Sequence, residues 1–199
     1  AGILAQDCAV VTLGGDHSIT LPILRAHVAK HGPLALIQFD AHTDSWENPD
    51  PARVDHGTFV YTAVEEGLID IARSVQIGIR TVNEDTLGIT VIDAPEVHLI
   101  GAEEVVARVH QIVGDHPAYL SFDIDALDPA YAPGTGTPEV GGLEPREAMA
   151  ILRGLKGLDM VGGDVVEVAP SYDPTSNTAQ AGAQILFELA CLAALAPAG

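Results

Sequence analysis

The strand-like runs of this chain are apolar throughout instead of alternating, and helical patterns separate them almost to the last residue. Cys8–Leu13, Leu34–Phe39, Ser74–Ile79, Thr90–Ile92, Ala118–Ile124 and Met160–Val168 read as strands. Ile19–Lys30, Phe59–Gly67, Ala102–Val113, Pro145–Leu155 and Thr178–Ala194 read as helices. A strand can be apolar on both sides only where both sides are covered, the condition of a parallel sheet between helix layers. The order strand–helix–strand therefore predicts an α/β fold, a three-layer α/β/α arrangement around a mainly parallel sheet. No linker, repeat or low-complexity tract divides residues 1–199, which are expected to form a single domain.

Ligands of such folds bind beyond the carboxyl ends of the strands, and the polar residues of this chain gather there. His17 follows the first run. Asp40, His42 and Asp44 leave the second at a period of two, Asp123 and Asp125 close the fifth, and Glu167 lies near the end of the sixth. Any one of these acids alone suits an N-cap or an Asx turn equally well. Together they repel, by about 4 kcal/mol per pair at ~4 Å and an effective dielectric of ~20, and a divalent cation is the natural remedy. An oxygen-rich set with a histidine for each ion suits Mn²⁺ better than Zn²⁺. Two ions ~3.5–4 Å apart would need bridging carboxylates, and a water between them would be acidified towards pKa ~7.

With 28 acidic residues against 9 basic ones the formal net charge is −19. No basic patch is available for nucleic acid, whereas a cationic substrate is compatible. No apolar stretch approaches the ~20 uncharged residues of a membrane helix. Two isolated cysteines, Cys8 and Cys191, point to buried thiols in a reducing compartment, the cytoplasm. There is no initiator Met or signal pattern at Ala1, and the opening residues read as helical.

Five motifs in order carry a resemblance. They are Gly14-Gly15-Asp16-His17-Ser18, Asp40-Ala41-His42-Thr43-Asp44, His56-Gly57-Thr58-Phe59, Ser121-Phe122-Asp123-Ile124-Asp125 running on to Gly134-Thr135-Gly136-Thr137-Pro138, and Glu167-Val168-Ala169-Pro170. From about Cys8 onward the chain resembles the ureohydrolase (arginase/agmatinase) family. Ala169, Ser171-Tyr172-Asp173 and Gln76-Ile77-Gly78-Ile79-Arg80-Thr81 look closest to its bacterial agmatinases. The resemblance implies an arginase-like fold that lacks the family's N-terminal segment and its first strands, and a homo-oligomer. It implies one Mn²⁺ on His17, Asp40, Asp44 and Asp123, and a second on His42, Asp40, Asp123 and Asp125. His56 would be the proton-relay histidine, and Glu167 would receive the substrate guanidinium. The implied reaction is hydrolysis of agmatine to putrescine and urea by a metal-bridging hydroxide, which Asp44 would help to orient, within polyamine biosynthesis. Guanidinobutyrate or arginine hydrolysis, a catalytically silent metal-binding remnant, and a one-zinc deacetylase-like hydrolase are the competing readings.

The remaining polar residues read as structural. Asp16 is expected to cap the helix that begins near Ser18, and Asp128 to start a turn before Pro129. Small residues across Gly134–Pro138 let backbone approach a ligand. His27, His31, His98, His110 and His116 are expected in solvent, and Trp46 is expected either to wall the pocket or to pack beside it.

Overall fold

A computed structural model of the chain describes residues 2–6, 8–50, 52–83 and 85–197. Six strands, β1 Val10–Leu13, β2 Ala35–Phe39, β3 Val75–Ile77, β4 Thr90–Ile92, β5 Ala118–Asp123 and β6 Met160–Val166, form one sheet in the order β1-β6-β5-β2-β3-β4. Every pairing in it is parallel. The helices are α1 Thr20–His31, α2 Phe59–Glu65, α3 Ala94–Val113, α4 Pro145–Gly154 and α5 Asn177–Ala194.

The burial explains why the runs are apolar. All of β2 and all of β5 are buried, because helices cover both faces. Ile37, Phe39, Leu120 and Phe122 join Val105, Val109, Ile151 and Leu189 of α3, α4 and α5 in one core. On the opposite face Leu36 and Tyr119 pack with Leu21, Leu24, Phe59 and Val60 of α1 and α2. The aromatic rings of Phe39 and Phe122 stack with centroids 4.9 Å apart and brace β2 against β5.

Three details depart from the sequence reading. Helix α3 begins eight residues earlier than Ala102: Asp93 caps it by accepting from the Glu96 N–H, and Gly101 breaks it with φ 77°. A glycine adopts that angle without the steric penalty of a Cβ, so two short helical pieces follow one another. His27 is buried, not solvated, at 1% exposure. It lies on the inward face of α1, edge-on to Tyr119 at 5.1 Å, with Nδ1 3.0 Å from the Ile23 carbonyl one turn earlier. Of the helical opening, Leu4–Gln6 forms a single 3₁₀ turn, while Ala1 falls outside the described residues.

Candidate metal centre and substrate pocket

Parallel strands all deliver their carboxyl ends to one rim of the sheet, and the turns there carry the chemistry. His17 opens a 3₁₀ turn after β1 that Asp16 caps by accepting from the Ser18 N–H at 2.9 Å. Asp40 directly follows β2, Asp123 ends β5, and Glu167 directly follows β6. Asp123 accepts from the Asp125 N–H at 2.8 Å, which sets the tight turn Ile124–Ala126 and brings Asp125 back over the rim. Asp44 and Glu167 hold left-handed backbone angles, φ 51° and 61°. Such strain in non-glycine residues persists where the surroundings enforce it, commonly at functional sites.

All six residues read as metal ligands converge. His17 Nδ1 lies 3.2 Å from Asp40 Oδ2, 2.9 Å from Asp44 Oδ2 and 3.2 Å from Asp123 Oδ2. His42 Nδ1 lies 3.4 Å from Asp40 Oδ1 and 3.1 Å from Asp125 Oδ2. Asp40 thus presents one oxygen to each group. Asp123 turns Oδ2 to His17 and gives Oδ1 to the Asp125 amide, so its reach into the second group is less direct than that of Asp40.

The electrostatics describe a site short of positive charge. Burial pushes Asp44 up to about 7, and the neighbouring Asp40 charge adds to the rise. Asp123 and Asp125 also move up, through burial first and then their carboxylate neighbours. Asp40 alone stays below the usual carboxylate range: burial opposes this, and His17 and His42 bring it about. Burial would lower His42, yet Asp125 and Asp40 carry it up to about 11. His17 Nδ1 is buried, has no hydrogen-bond partner and faces three carboxylate oxygens. It can answer them only by taking a proton or by ligating a cation. Imidazole nitrogen with surrounding carboxylate oxygens is a donor set that fits Mn²⁺, and the residues Asp40, His42 and Asp125 offer the same chemistry beside it.

Above the acids is a pocket of about 230 Å³ lined by His42, Asp44 and Asp123 together with Trp46, His56 and Glu167. None of its lining residues is Lys or Arg. Glu167 accepts from the His17 N–H at 2.6 Å through Oε1, and Gly136 borders Oε2. His56 Nδ1 lies 3.2 Å from Asp16 Oδ2, so Asp16 has a second partner besides the turn it caps. Thr137, from the small-residue loop, donates to Asp125 Oδ2 at 3.1 Å and also lines the pocket. Asp128 accepts from the Ala130, Gly141 and Gly142 N–H groups, the turn role read from sequence.

The sequence profile of the Arginase family matches residues 1–191. The chain belongs to this family. An agmatinase from Neisseria meningitidis serogroup C (strain 053442) is 56% identical over 187 residues, 94% of this chain and 60% of that protein. The crystal structure of a hypothetical agmatinase from Burkholderia thailandensis superposes with a TM-score of 0.94 at 56% identity, covering 96% of this chain and 61% of that one. Proclavaminate amidino hydrolase from Streptomyces clavuligerus gives a TM-score of 0.88 at 43% identity over 92% of this chain and 63% of that one. The chain thus spans about 60% of the length of the curated relatives it matches.

Beneath this arginase-family site lies a layer that the sequence reading passed over. Gln76, Gln38, Ser121 and Asp164 are register partners in β3, β2, β5 and β6, a polar row across the sheet. Gln76 donates to Gln38 Oε1 at 2.8 Å, and Gln38 donates to Asp40 Oδ2 at 2.7 Å. Gln38 and Ser121 stand two residues before Asp40 and Asp123, and that offset was the available signal.

Proposed function

We propose that the chain is a Mn²⁺-dependent hydrolase of guanidino compounds, with agmatine as substrate and putrescine and urea as products. One ion would be held by His17, Asp40, Asp44 and Asp123, the other by His42, Asp40, Asp123 and Asp125. Once bound, such a pair neutralises the four aspartates and lowers the pKa of a water towards neutrality. The chain's own residues do the rest. Glu167 Oε2 accepts the guanidinium N–H groups, a charge-assisted contact that turns the central carbon towards Asp44 and Asp123. His56 delivers a proton to the leaving amine. Burial opposes its protonation, but the Asp16 carboxylate beside Nδ1 raises its pKa and favours the acid form.

The observation that carries the choice of agmatine is the charge of the pocket. Asp44, Asp123 and Glu167 line it with no Lys or Arg to answer them. An α-carboxylate, as on arginine, or the carboxylate of guanidinobutyrate finds no Lys or Arg among the lining residues to pair with. The ammonium tail of agmatine needs no such partner. The agmatinases among the relatives support this reading. We take residues 1–199 as one ureohydrolase domain that works in the cytoplasm as a homo-oligomer; Cys8 and Cys191 are free thiols, but Cys8 is exposed and Cys191 half-buried, against the expectation that both are buried. The test is urea release from agmatine, arginine, guanidinobutyrate and guanidinopropionate, with manganese counted in the same samples. Two ions per chain and the highest kcat/KM on agmatine are expected. A folded, metal-loaded sample that releases no urea would leave the chain a metal-binding remnant, and a preference for arginine would overturn the charge argument.

A further inference from the structure

Asp164 is fully buried in β6, and the chemistry above makes no use of it. Three hydroxyl groups reach its carboxylate. Ser121 Oγ donates to Oδ1 at 2.6 Å, while Tyr119 Oη and Thr20 Oγ1 donate to Oδ2 at 2.7 and 2.8 Å. Its hydrogen-bond partners include no Arg or Lys among the described residues, so His17 and these hydroxyls are what offsets the cost of burying an acid. A leucine or asparagine would fill such a place with less to offset.

The geometry has a direction. Burial pushes the Asp164 carboxyl up, while His17 and the three hydroxyls pull it back down; as a carboxylate it can only accept, so each hydroxyl turns its one hydrogen towards it. Ser121 then meets His17 Nε2, 2.8 Å away, solely as an acceptor. His17 must therefore carry a hydrogen on Nε2. In the neutral ring this leaves the lone pair on Nδ1, the atom that faces Asp40, Asp44 and Asp123. Without Asp164 the Ser121 hydrogen is free to rotate towards Nε2, and the ring would then hold its own hydrogen on Nδ1, where it blocks ligation.

We propose that Asp164, acting through Ser121, fixes the tautomer of His17 and so decides which ring nitrogen is offered to the first metal ion. The inference rests on the two-metal reading of the site. Asp164 is a positioning residue, touching neither substrate nor ion, and its influence is confined to the His17 half. The His42 half is held by other groups, with Thr137 and the Ala41 N–H on Asp125. Outer partners of this kind alter metal affinity by about 10–100-fold when removed.

The test uses Cd²⁺ as a diamagnetic probe metal with the full chain and its Asp164→Ala, Ser121→Ala and Ser121→Thr variants. Binding isotherms give the affinity of each ion, and ¹⁵N signals of the His17 ring report which nitrogen bears hydrogen. Wild-type protein is expected to take up two ions with hydrogen on Nε2. Asp164→Ala and Ser121→Ala should weaken one ion about 10–100-fold, leave the other unchanged and alter the ring signals, and Ser121→Thr should restore both readouts. Where Asp164→Ala does not fold, the two Ser121 variants decide. Unchanged affinity and unchanged ring signals in Ser121→Ala or in folded Asp164→Ala would overturn the inference while the two-metal reading stands. Wild-type protein that takes up no divalent ion would bring down that reading, and this inference with it.

Discussion

Replacing Glu167 by glutamine changes one atom, and the structure makes the consequence larger than the loss of a charge. Oε1 is committed to the His17 N–H at 2.6 Å, so a glutamine must keep its carbonyl oxygen there. Its NH₂ group then occupies the place of Oε2, beside Gly136 and the pocket, and points a donor at a substrate that is itself all donors. A charge-assisted hydrogen bond is worth about 1.5–3 kcal/mol, and an unmatched buried polar group costs about 1–3 kcal/mol more. The combined loss of about 2.5–6 kcal/mol corresponds to a fall of about 10²–10⁴ in kcat/KM at ~1.4 kcal/mol per decade. Glu167 is outside both proposed ligand sets, so manganese content should stay as in the wild type. Urea release and elemental analysis on the same preparation give both numbers. Activity within tenfold of wild type would refute the role of Glu167, and loss of metal along with activity would show that it is misassigned.

Metal removal should expose the electrostatic strain. Asp44 rises to about 7 and His42 to about 11 in the folded, metal-free chain, against ordinary values of ~3.9 and ~6.5. Both groups then hold more protons folded than unfolded, so stability falls as pH rises, across ~4–7 for Asp44 and ~6.5–11 for His42. Thermal melts in EDTA should show a midpoint that drops between about pH 5 and pH 9, and excess Mn²⁺ should remove the drop; a flat metal-free profile contradicts this. Arg80 places short hydrogen bonds on the carbonyls of Asp125 and Glu139, both 2.7 Å, and Gly78, 3.0 Å, and so clamps the turn that carries Asp125. Arg80→Ala should lower the unfolding free energy by about 3–5 kcal/mol in urea titrations, and a change below about 1 kcal/mol would show the clamp to be incidental. Trp46, the only tryptophan, is 39% exposed and lines the pocket. Its fluorescence should respond to putrescine, more weakly at high salt because the attracting charges are screened; emission indifferent to the amine would place binding elsewhere.

Much of this was legible from the residues. The apolar runs located every strand, since a strand covered on both faces has no polar side to show. The acids could be placed on one rim before any coordinates, because parallel strands share a carboxyl end. The first half of α3 was missed because Gly101 breaks the helical pattern, although Asp93 and Pro95 mark its start. The row Gln76, Gln38, Ser121 and Asp164 was missed for another reason. A run judged by its average hydrophobicity conceals single polar residues, even where they recur two places before a ligand. His27 looked like a surface residue because nothing local says that Tyr119, 92 positions on, lies over it.

Composition and order alone determined the layers, the direction of the strands and the kinds of atom at their ends, since these follow from local periodicity and from the chemistry of each side chain. Only the tertiary structure decided that β5 lies between β2 and β6. That neighbourhood sets Ser121 between Gln38 and Asp164 and brings His17 to Asp40 and Asp123. Strand order and register are settled by packing between residues far apart in the chain, and no stretch of sequence contains both halves of such a contact.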